Sequence, residues 1–162
     1  MTHSMRRHDR EITDPSSIDE ILSAGRFATI ALCDGTEPYV VTLSCGYDAV
    51  RKRLCFHVAT AGRKLDIIAR NPRACATIID DLGYKHGECA HPFRSVVLNG
   101  TMRLVEDPDD VRVGMRSLIG QLETPADAEA IFEQHKLDTD QGLDRFRLLV
   151  LDIDDVSAKQ DE

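Results

Sequence analysis

The decapeptide FHVATAGRKL, residues 56–65, decides how the surrounding chain folds. Its apolar first half predicts a strand, Gly62 predicts a tight turn, and the charged second half predicts a short helix over 63–70. The pair Asn71-Pro72 ends this helix, because proline disfavours helical geometry in the residue before it. The stretch therefore predicts a strand, a turn and a helix in immediate succession.

Two cations open the predicted helix. A helix N-terminus favours anions by about 0.3–1 kcal/mol, so Arg63 and Lys64 stand where an acidic side chain would be more stable. A bound phosphate resolves this conflict, since helix N–H groups and both cations can hold it. The alternative is an exposed basic turn, because lysine and arginine are common on protein surfaces.

Composition narrows the class of protein. The 162 residues predict one domain over 1–162, with flexible ends at 1–10 and 157–162. A formal net charge of −8 argues against a nucleic-acid partner, and no apolar run reaches the roughly 18 residues of a membrane helix. Five cysteines, an odd number without a CxxC pair, predict free thiols in a reducing cytoplasm.

The rest of the chain predicts a mainly β fold with peripheral helices. A capping box at 17–20 begins a first helix, which Gly25 ends. Aspartate–proline and threonine–proline pairs predict later helices that start at Pro108 and Pro125. The predicted strands are 27–33, 39–46, 53–58, 74–79, 94–105 with a bulge near Asn99-Gly100, and 146–156. About six antiparallel strands indicate a small β-barrel rather than an alternating βαβ fold.

Other chemistry-bearing residues give weaker indications. His86, Cys89 and His91 lie together in the predicted loop 80–92, but their spacing matches no closed zinc site, and we predict no metal. A solvated loop is favoured, and a lid over a ligand cleft is the alternative. His57 is either a half-buried strand histidine that is hydrogen-bonded locally or a functional residue beside the cationic turn.

Four segments in order resemble the flavin-binding split barrels of the pyridoxamine 5'-phosphate oxidase-like superfamily, and within it the nitroimidazole-resistance (Nim) subgroup. They are MRRHDREITD at 5–14, PYVVTLSCGYD at 38–48, FH at 56–57 with GRKL at 62–65 and NP at 71–72, and RSVV at 94–97 with Gly100 and VED at 105–107. The resemblance implies an antiparallel, Greek-key-like split barrel. It also implies a homodimer that binds FMN at the subunit interface.

The resemblance assigns cofactor-binding positions residue by residue. Arg63 and Lys64 fall on the phosphate-binding cations, and Ser95 falls on a polar residue that helps to hold the cofactor. The positions before the phosphate turn are His57 and Val58, and the positions that meet the isoalloxazine ring are Val41, Thr42, Leu43 and Ser44. His57 is the one candidate catalytic residue.

The resemblance further implies an FMN-dependent oxidoreductase that acts on a small electrophilic molecule such as a nitro-aromatic compound. The basic substrate-binding residues of true pyridoxamine phosphate oxidases have no clear counterpart, so we do not predict vitamin B6 synthesis. Two alternatives stay open. One is a split barrel for the deazaflavin F420 or for haem, with His57 as the first haem-ligand candidate; the other is a non-catalytic flavin-binding module.

Overall fold

The computed structural model describes residues 5–143 and 147–161. The strands in chain order are β1 (Glu11–Ile12), β2 (Phe27–Asp34), β3 (Glu37–Ser44), β4 (Gly46–Asp48), β5 (Arg53–Val58), β6 (Arg73–Asp81), β7 (Phe93–Val105) and β8 (Arg147–Asp161). The helices are α1 (Pro15–Ala24), α2 (Arg63–Arg70), α3 (Pro108–Leu122), α4 (Pro125–His135) and α5 (Asp140–Leu143). Among the described residues, no helix is long and apolar enough to cross a membrane.

The strands form one curled antiparallel sheet that does not close. Its order is β3-β2-β6-β7-β8-β5-β4, and β1 pairs with β8 beside this path. Strand β2 pairs with β6 and β5 pairs with β8, so the connections are Greek-key-like. The fold-class prediction of a mainly β split barrel is confirmed, with the short strands β1 and β4 added to the six predicted.

The two edges of the sheet are joined through a single residue. Cys45 links β3 at one edge to β4 at the other; it is fully buried, and its N–H donates to the carbonyl of Arg26 at 3.1 Å. The prediction of one strand over 39–46 is therefore wrong, because the chain changes edges at Cys45. Asp48 ends β4, and its carboxylate accepts a hydrogen bond from the buried Arg53 at 3.2 Å.

The inner face of the curled sheet holds the larger apolar core. Ala28, Ile30 and Leu32 of β2 are buried and alternate with more exposed residues, as expected for a strand with one solvated face. Ile67 and Ile68 of α2 belong to the same core. The helix that follows the glycine turn is thereby anchored under the barrel.

Helices α3 and α4 cover a second core on the other side of β5 and β8. Met115 and Leu118 of α3 cluster there with Cys55 of β5 and Val150 of β8. Residues 53–56 of β5 and residues 148–151 at the start of β8 are therefore buried on both faces. This explains why both read as nearly continuous apolar runs rather than as alternating patterns.

Several predicted boundaries are confirmed and one cap is corrected. Helix α2 has the predicted bounds, and Asp107 and Thr124 cap α3 and α4 with proline following each. Helix α1 begins earlier than the predicted capping box, because Asp14 is its N-cap and accepts a hydrogen bond from the N–H of Ser17 at 3.0 Å. Proline after Asp14 begins the helix there.

The prediction of a flexible C-terminal end is wrong. Residues 157–161 complete β8, where Lys159 pairs with Glu11 of β1, and Asp161 forms an ion pair with Arg10. Their polar sequence resembles a tail because charged residues line this solvated part of the strand. At the N-terminal end, His8–Arg10 form a 3-10 turn, whereas residues 1–4 lie outside the described residues, as does Phe146 at the predicted start of the last strand.

Candidate functional site

The cationic turn lies against strand β3 at the split of the barrel. Strand β5 leads directly into the turn and α2, and β3 contacts β5 across the split. The guanidinium carbon of Arg63 lies 4.9 Å from the centre of the Tyr39 ring on β3. The first residue of α2 is therefore held beside the unpaired edge of the sheet.

The N-terminus of α2 has no side-chain cap. Gly62 is its N-cap residue, with φ at 148°, and the N–H groups of Leu65 and Asp66 both donate to the Gly62 carbonyl. The N–H groups of Arg63 and Lys64 precede these first helical bonds and point out of the helix end. Asp66 also lies in the first turn, so with Arg63 and Lys64 the net charge of this turn is +1. This arrangement fits an anion better than it fits a bare helix end.

A cavity of about 550 Å³ opens at the far end of β3. It lies between the β-strands of the split on one side and helices α3 and α4 on the other. Its lining residues are Phe27, Thr42, Leu43, Ser44, His57, Met115, Leu118, Ile119, Leu122, Ile131, His135 and Leu137. Strand β3 thus runs about 17 Å from Tyr39 at the cationic turn to Ser44 at the cavity.

The structure brings four of the predicted site residues together in this cavity. Thr42, Leu43 and Ser44 reach it from β3, and His57 reaches it from β5. The Thr42 hydroxyl forms a hydrogen bond with that of Thr29 at 3.0 Å. Partial desolvation lowers the pKa of His57 below its ordinary value of 6.5, which favours the neutral imidazole at pH 7.

The sequence match decides the family. Residues 14–160 match the profile of the family described as pyridoxamine 5'-phosphate oxidase. The chain belongs to this family. No curated protein matches the chain in sequence.

Solved structures support the fold of this pyridoxamine 5'-phosphate oxidase family member. A protein proposed to confer 5-nitroimidazole antibiotic resistance, from Bacteroides thetaiotaomicron, is 20% identical with a TM-score of 0.70, and the match covers 99% of this chain and 100% of that one. A FAD- and haem-binding protein from Mycobacterium smegmatis is 22% identical with a TM-score of 0.76, covering 94% and 74%. The flavocytochrome Anf3 from Azotobacter vinelandii is 20% identical with a TM-score of 0.77, covering 99% and 73%.

The structure does not bring every predicted residue to the split. Val58 is buried in the core and Val41 packs against it, so each presents mainly its backbone to the split. Ser95 lies on β7, three strands away from β3 in the sheet order. At the usual strand spacing this separates Ser95 from β3 by about 14 Å along the sheet.

Ser95 lies instead on the outer face of the sheet, where it is only 7% exposed. This face is made of the side chains of β2, β3, β6 and β7 that point away from the core. Its uncharged residues are Phe27, Thr29, Ala31, Cys33, Pro38, Val40, Thr42, Ser44, Cys75, Thr77, Ile79, Ser95, Val97 and Asn99, and the charged Arg73 and Asp81 lie at the two ends of β6 on the same face. Phe27, Val40 and Ile79 are each about 60% exposed on it. These three side chains are the most exposed large apolar residues of this face.

The histidine loop between β6 and β7 is ordered by local contacts. His91 Nε2 lies 2.9 Å from the Asp81 carboxylate, and the Tyr84 ring makes edge-to-face contacts with His86 and His91. Cys89 is exposed there, with φ at 53°. Within residues 5–143 and 147–161, no group of three or more His, Cys, Asp or Glu is arranged to hold a metal ion.

The helical wall of the cavity is the part that sequence reasoning missed. The helical spacing of Met115, Leu118 and Ile119 indicates one buried side of α3, and all three are buried. His135 in the last turn of α4 was not singled out at all. The signal available in the sequence was the helical spacing itself, which reports burial but does not tell a closed core from the wall of a cavity.

Proposed function

We propose that the protein is an FMN-binding oxidoreductase whose cofactor lies along β3, from the cationic turn to the cavity. The observation that carries this proposal is the contact between Arg63 and Tyr39, since it joins an uncapped, basic helix end to the strand that leads to the cavity. Membership of the pyridoxamine 5'-phosphate oxidase family and the flavin-binding relatives of the same fold support it.

Arg63 and Lys64 would hold the phosphate. Each charge-assisted hydrogen bond is worth about 1.5–3 kcal/mol, and the exposed N–H groups of the same residues add donors. Gly62 has open space around its Cα, so the turn leaves room for a bulky anion. This part of the site discriminates FMN from riboflavin, which has no phosphate.

Strand β3 would hold the ring, beside the cavity that His57 lines. A bound flavin supplies the transfer of electrons or hydride, while the protein positions it and excludes competing reactions. The backbone from Val41 to Ser44 provides hydrogen-bonding groups along the unpaired edge of the sheet. The neutral imidazole of His57 orients or polarises a molecule in the cavity, and we propose no covalent bond to the protein. Cys89 lies outside the cavity lining.

The outer face supports a homodimer. We propose that a second copy of the chain packs on its uncharged middle part, because burying Phe27, Val40 and Ile79 removes exposed apolar surface from water. Ser95 lies on this face but is only 7% exposed, so its role as a cofactor-binding residue remains a prediction of the resemblance. The five free thiols support the reducing cytoplasm that the sequence predicts.

Haem is the second candidate ligand. Two histidines, His57 and His135, line the same cavity, and imidazole is a usual axial ligand of haem iron. Two relatives of the same fold are a FAD- and haem-binding protein and a flavocytochrome. The cavity is apolar enough for a porphyrin, but no arginine or lysine lines it to meet the propionates.

Titration of the purified protein distinguishes these functions. We expect the fluorescence of FMN to fall when it binds. The protein should be saturated at one flavin per chain, with micromolar or tighter affinity. A parallel titration with haemin reports binding by a sharpened Soret band. A protein that leaves FMN fluorescence unchanged and binds haemin would contradict the flavin proposal in favour of haem. A proposed substrate, a nitro-aromatic compound, is then tested with the loaded protein and a chemical reductant.

A further inference from the structure

The cavity at the end of β3 differs in charge from the rest of the molecule. Charged residues make up 30% of the chain, yet no Asp, Glu, Lys or Arg is among the twelve residues that line it. A neighbouring cavity of about 490 Å³, lined by Arg51, Arg103 and Asp152 among others, is almost entirely charged. The absence of charge therefore belongs to this cavity and does not follow from composition.

The cation next to Met115 on α3 is already engaged by other side chains. Arg116, on the same helix as Met115, lies 4.2 Å from the Phe132 ring centre and forms ion pairs with Glu129 and Asp138. Partial desolvation favours the neutral form of His57 at pH 7. A carboxylate or phosphate in the cavity would lose water without gaining a counter-charge from an Arg or Lys side chain of the lining.

The walls of the cavity suit an apolar molecule with few polar groups. Met115 and Leu118 are 4% exposed and form a fixed apolar wall, in which the flexible thioether of Met115 can adapt to different shapes. His57, His135 and Ser44 offer a few hydrogen-bonding groups at the rim. Few polar groups on apolar walls are typical of a small-molecule site that fixes orientation by a small number of contacts.

The wall is held at a fixed distance from the strands. A Cβ on Gly46 would lie 2.3 Å from the Leu118 Cα, so α3 packs directly on the backbone of β4. The side-chain amide of Gln121 accepts from the N–H of Tyr47 at 2.7 Å and donates to the carbonyl of Leu22 at 3.0 Å. These contacts make the cavity a built feature of the fold rather than a gap between mobile elements.

We propose that this cavity binds the substrate as an uncharged, largely apolar small molecule and discriminates against carboxylates and phosphates. The inference rests on the proposed function for its chemistry, because the same strand would present the flavin. Binding to the cavity is nevertheless measurable in the absence of flavin. The class includes uncharged nitro-aromatic compounds and quinones, and it excludes phosphorylated vitamers.

Nitrobenzene and 4-nitrobenzoate form a matched pair of probes, since they differ by one carboxylate. We expect calorimetry on the full chain, with and without FMN, to give at least about tenfold tighter binding of nitrobenzene. Equal or tighter binding of 4-nitrobenzoate would overturn the inference, as would no binding of nitrobenzene to either form.

The site is located with tryptophan variants, because the chain has no tryptophan of its own. Ile131→Trp fills the cavity from α4, and Ala130→Trp places the same ring on the exposed neighbouring residue outside the lining. We expect nitrobenzene binding to be lost in the first variant and kept in the second. Equal effects of the two would overturn the assignment. Leu122→Trp, at the half-buried end of α3, blocks the same cavity if the first variant does not fold.

The outcomes separate this inference from the proposed function. If nitrobenzene binding is lost in Ile131→Trp but the native protein does not bind FMN, the cavity assignment stands and the flavin proposal fails. If FMN binds and nitrobenzene does not, the substrate class fails alone. A Soret band that Ile131→Trp abolishes would show haem in the cavity and would overturn the substrate assignment.

Discussion

The guanidinium of Arg63 lies over the Tyr39 ring, 4.9 Å from its centre, and so connects the first residue of α2 to the free edge of β3. Such contacts are worth about 0.5–1 kcal/mol at exposed sites, enough to orient an arginine that is otherwise solvated. Because β3 continues to Thr42 and Ser44, one strand links a cationic turn with an uncharged cavity. A ligand with an anionic end and an apolar ring system matches this polarity.

His57 should affect turnover more than cofactor binding. We expect His57→Ala to leave FMN affinity nearly unchanged and to slow nitro-aromatic reduction by about tenfold, since a positioned proton donor or acceptor contributes to the transition state. Steady-state rates with the loaded protein, beside a flavin fluorescence titration, provide the measurement. Cys89→Ser is the control and should keep full activity. A thiol mechanism is indicated if that control loses turnover while its flavin remains bound and reducible.

A charge on the outer face should dissociate the proposed dimer. Val97 is 37% exposed in the middle of that face, and Val97→Lys would bury an unpaired ammonium between subunits. We expect sedimentation to show a dimer for the native chain, a monomer for this variant, and weaker FMN binding. Val50→Lys, at a turn residue that is 90% exposed, should remain dimeric. A native chain that sediments as a monomer while it binds FMN would refute the shared site.

Gly46 should be intolerant of a side chain. The Cβ of Gly46→Ala would lie 2.3 Å from the Leu118 Cα and 2.6 Å from its nitrogen, and both are backbone atoms that cannot rotate away. We expect a loss of about 1–3 kcal/mol in the free energy of unfolding, measured by urea denaturation. Gly120→Ala has open space around it on α3 and should be stabilising by about 0.5–1 kcal/mol. The packing account is wrong if both alanines behave alike.

The ion pair between Arg53 and Asp110 should make the free energy of unfolding depend on pH in the acidic range. Arg53 is 1% exposed, and its guanidinium donates to both Asp110 oxygens, at 2.9 and 2.6 Å. Hydrogen bonds from Arg53 lower the pKa of Asp110 below its ordinary value of 3.8. The stabilisation is therefore complete above the unfolded-state pKa and is lost as pH falls through the lower folded-state pKa.

The variant Asp110→Asn measures this dependence. We expect it to lower the free energy of unfolding by about 1.5–3 kcal/mol at pH 7, with a difference that shrinks below about pH 4. Asp109→Asn, whose side chain is 91% exposed, should change stability by less than about 0.5 kcal/mol. A difference that is constant from pH 7 to pH 3 would mean that the ionised carboxylate is not the stabilising group.

Local signals in the sequence predicted the elements that position the anion site. The predicted limits of α2, Gly62 and Pro72, are confirmed. The predicted bulge near Gly100 is also present, and a side chain does not fit there, because a Cβ would lie 2.1 Å from the Asp152 carbonyl oxygen. Turns, caps and bulges depend on the residues at the position itself. These features are therefore predictable without knowledge of the rest of the fold.

Long-range packing set the features that were not predictable. The change of edge at Cys45 depends on how the sheet curls, and nothing in the neighbouring residues marks it. The final strand residues look like a solvated tail until Lys159 and Asp161 meet β1 and Arg10. The cavity likewise depends on where α3 and α4 come to rest over β5. Hydrophobic periodicity predicts which helix faces are buried, but not the space that remains between them.

The most direct test compares FMN and riboflavin in the double variant Arg63→Ala/Lys64→Ala. Loss of two charge-assisted contacts should weaken FMN binding by on the order of a hundredfold or more, and riboflavin binding should change little. Arg70→Ala, at the far exposed end of the same helix, is the matched control and should alter neither affinity. Fluorescence titration of both ligands against all three proteins gives the comparison. The account predicts a large loss for FMN alone, and equal losses for the two ligands would contradict it.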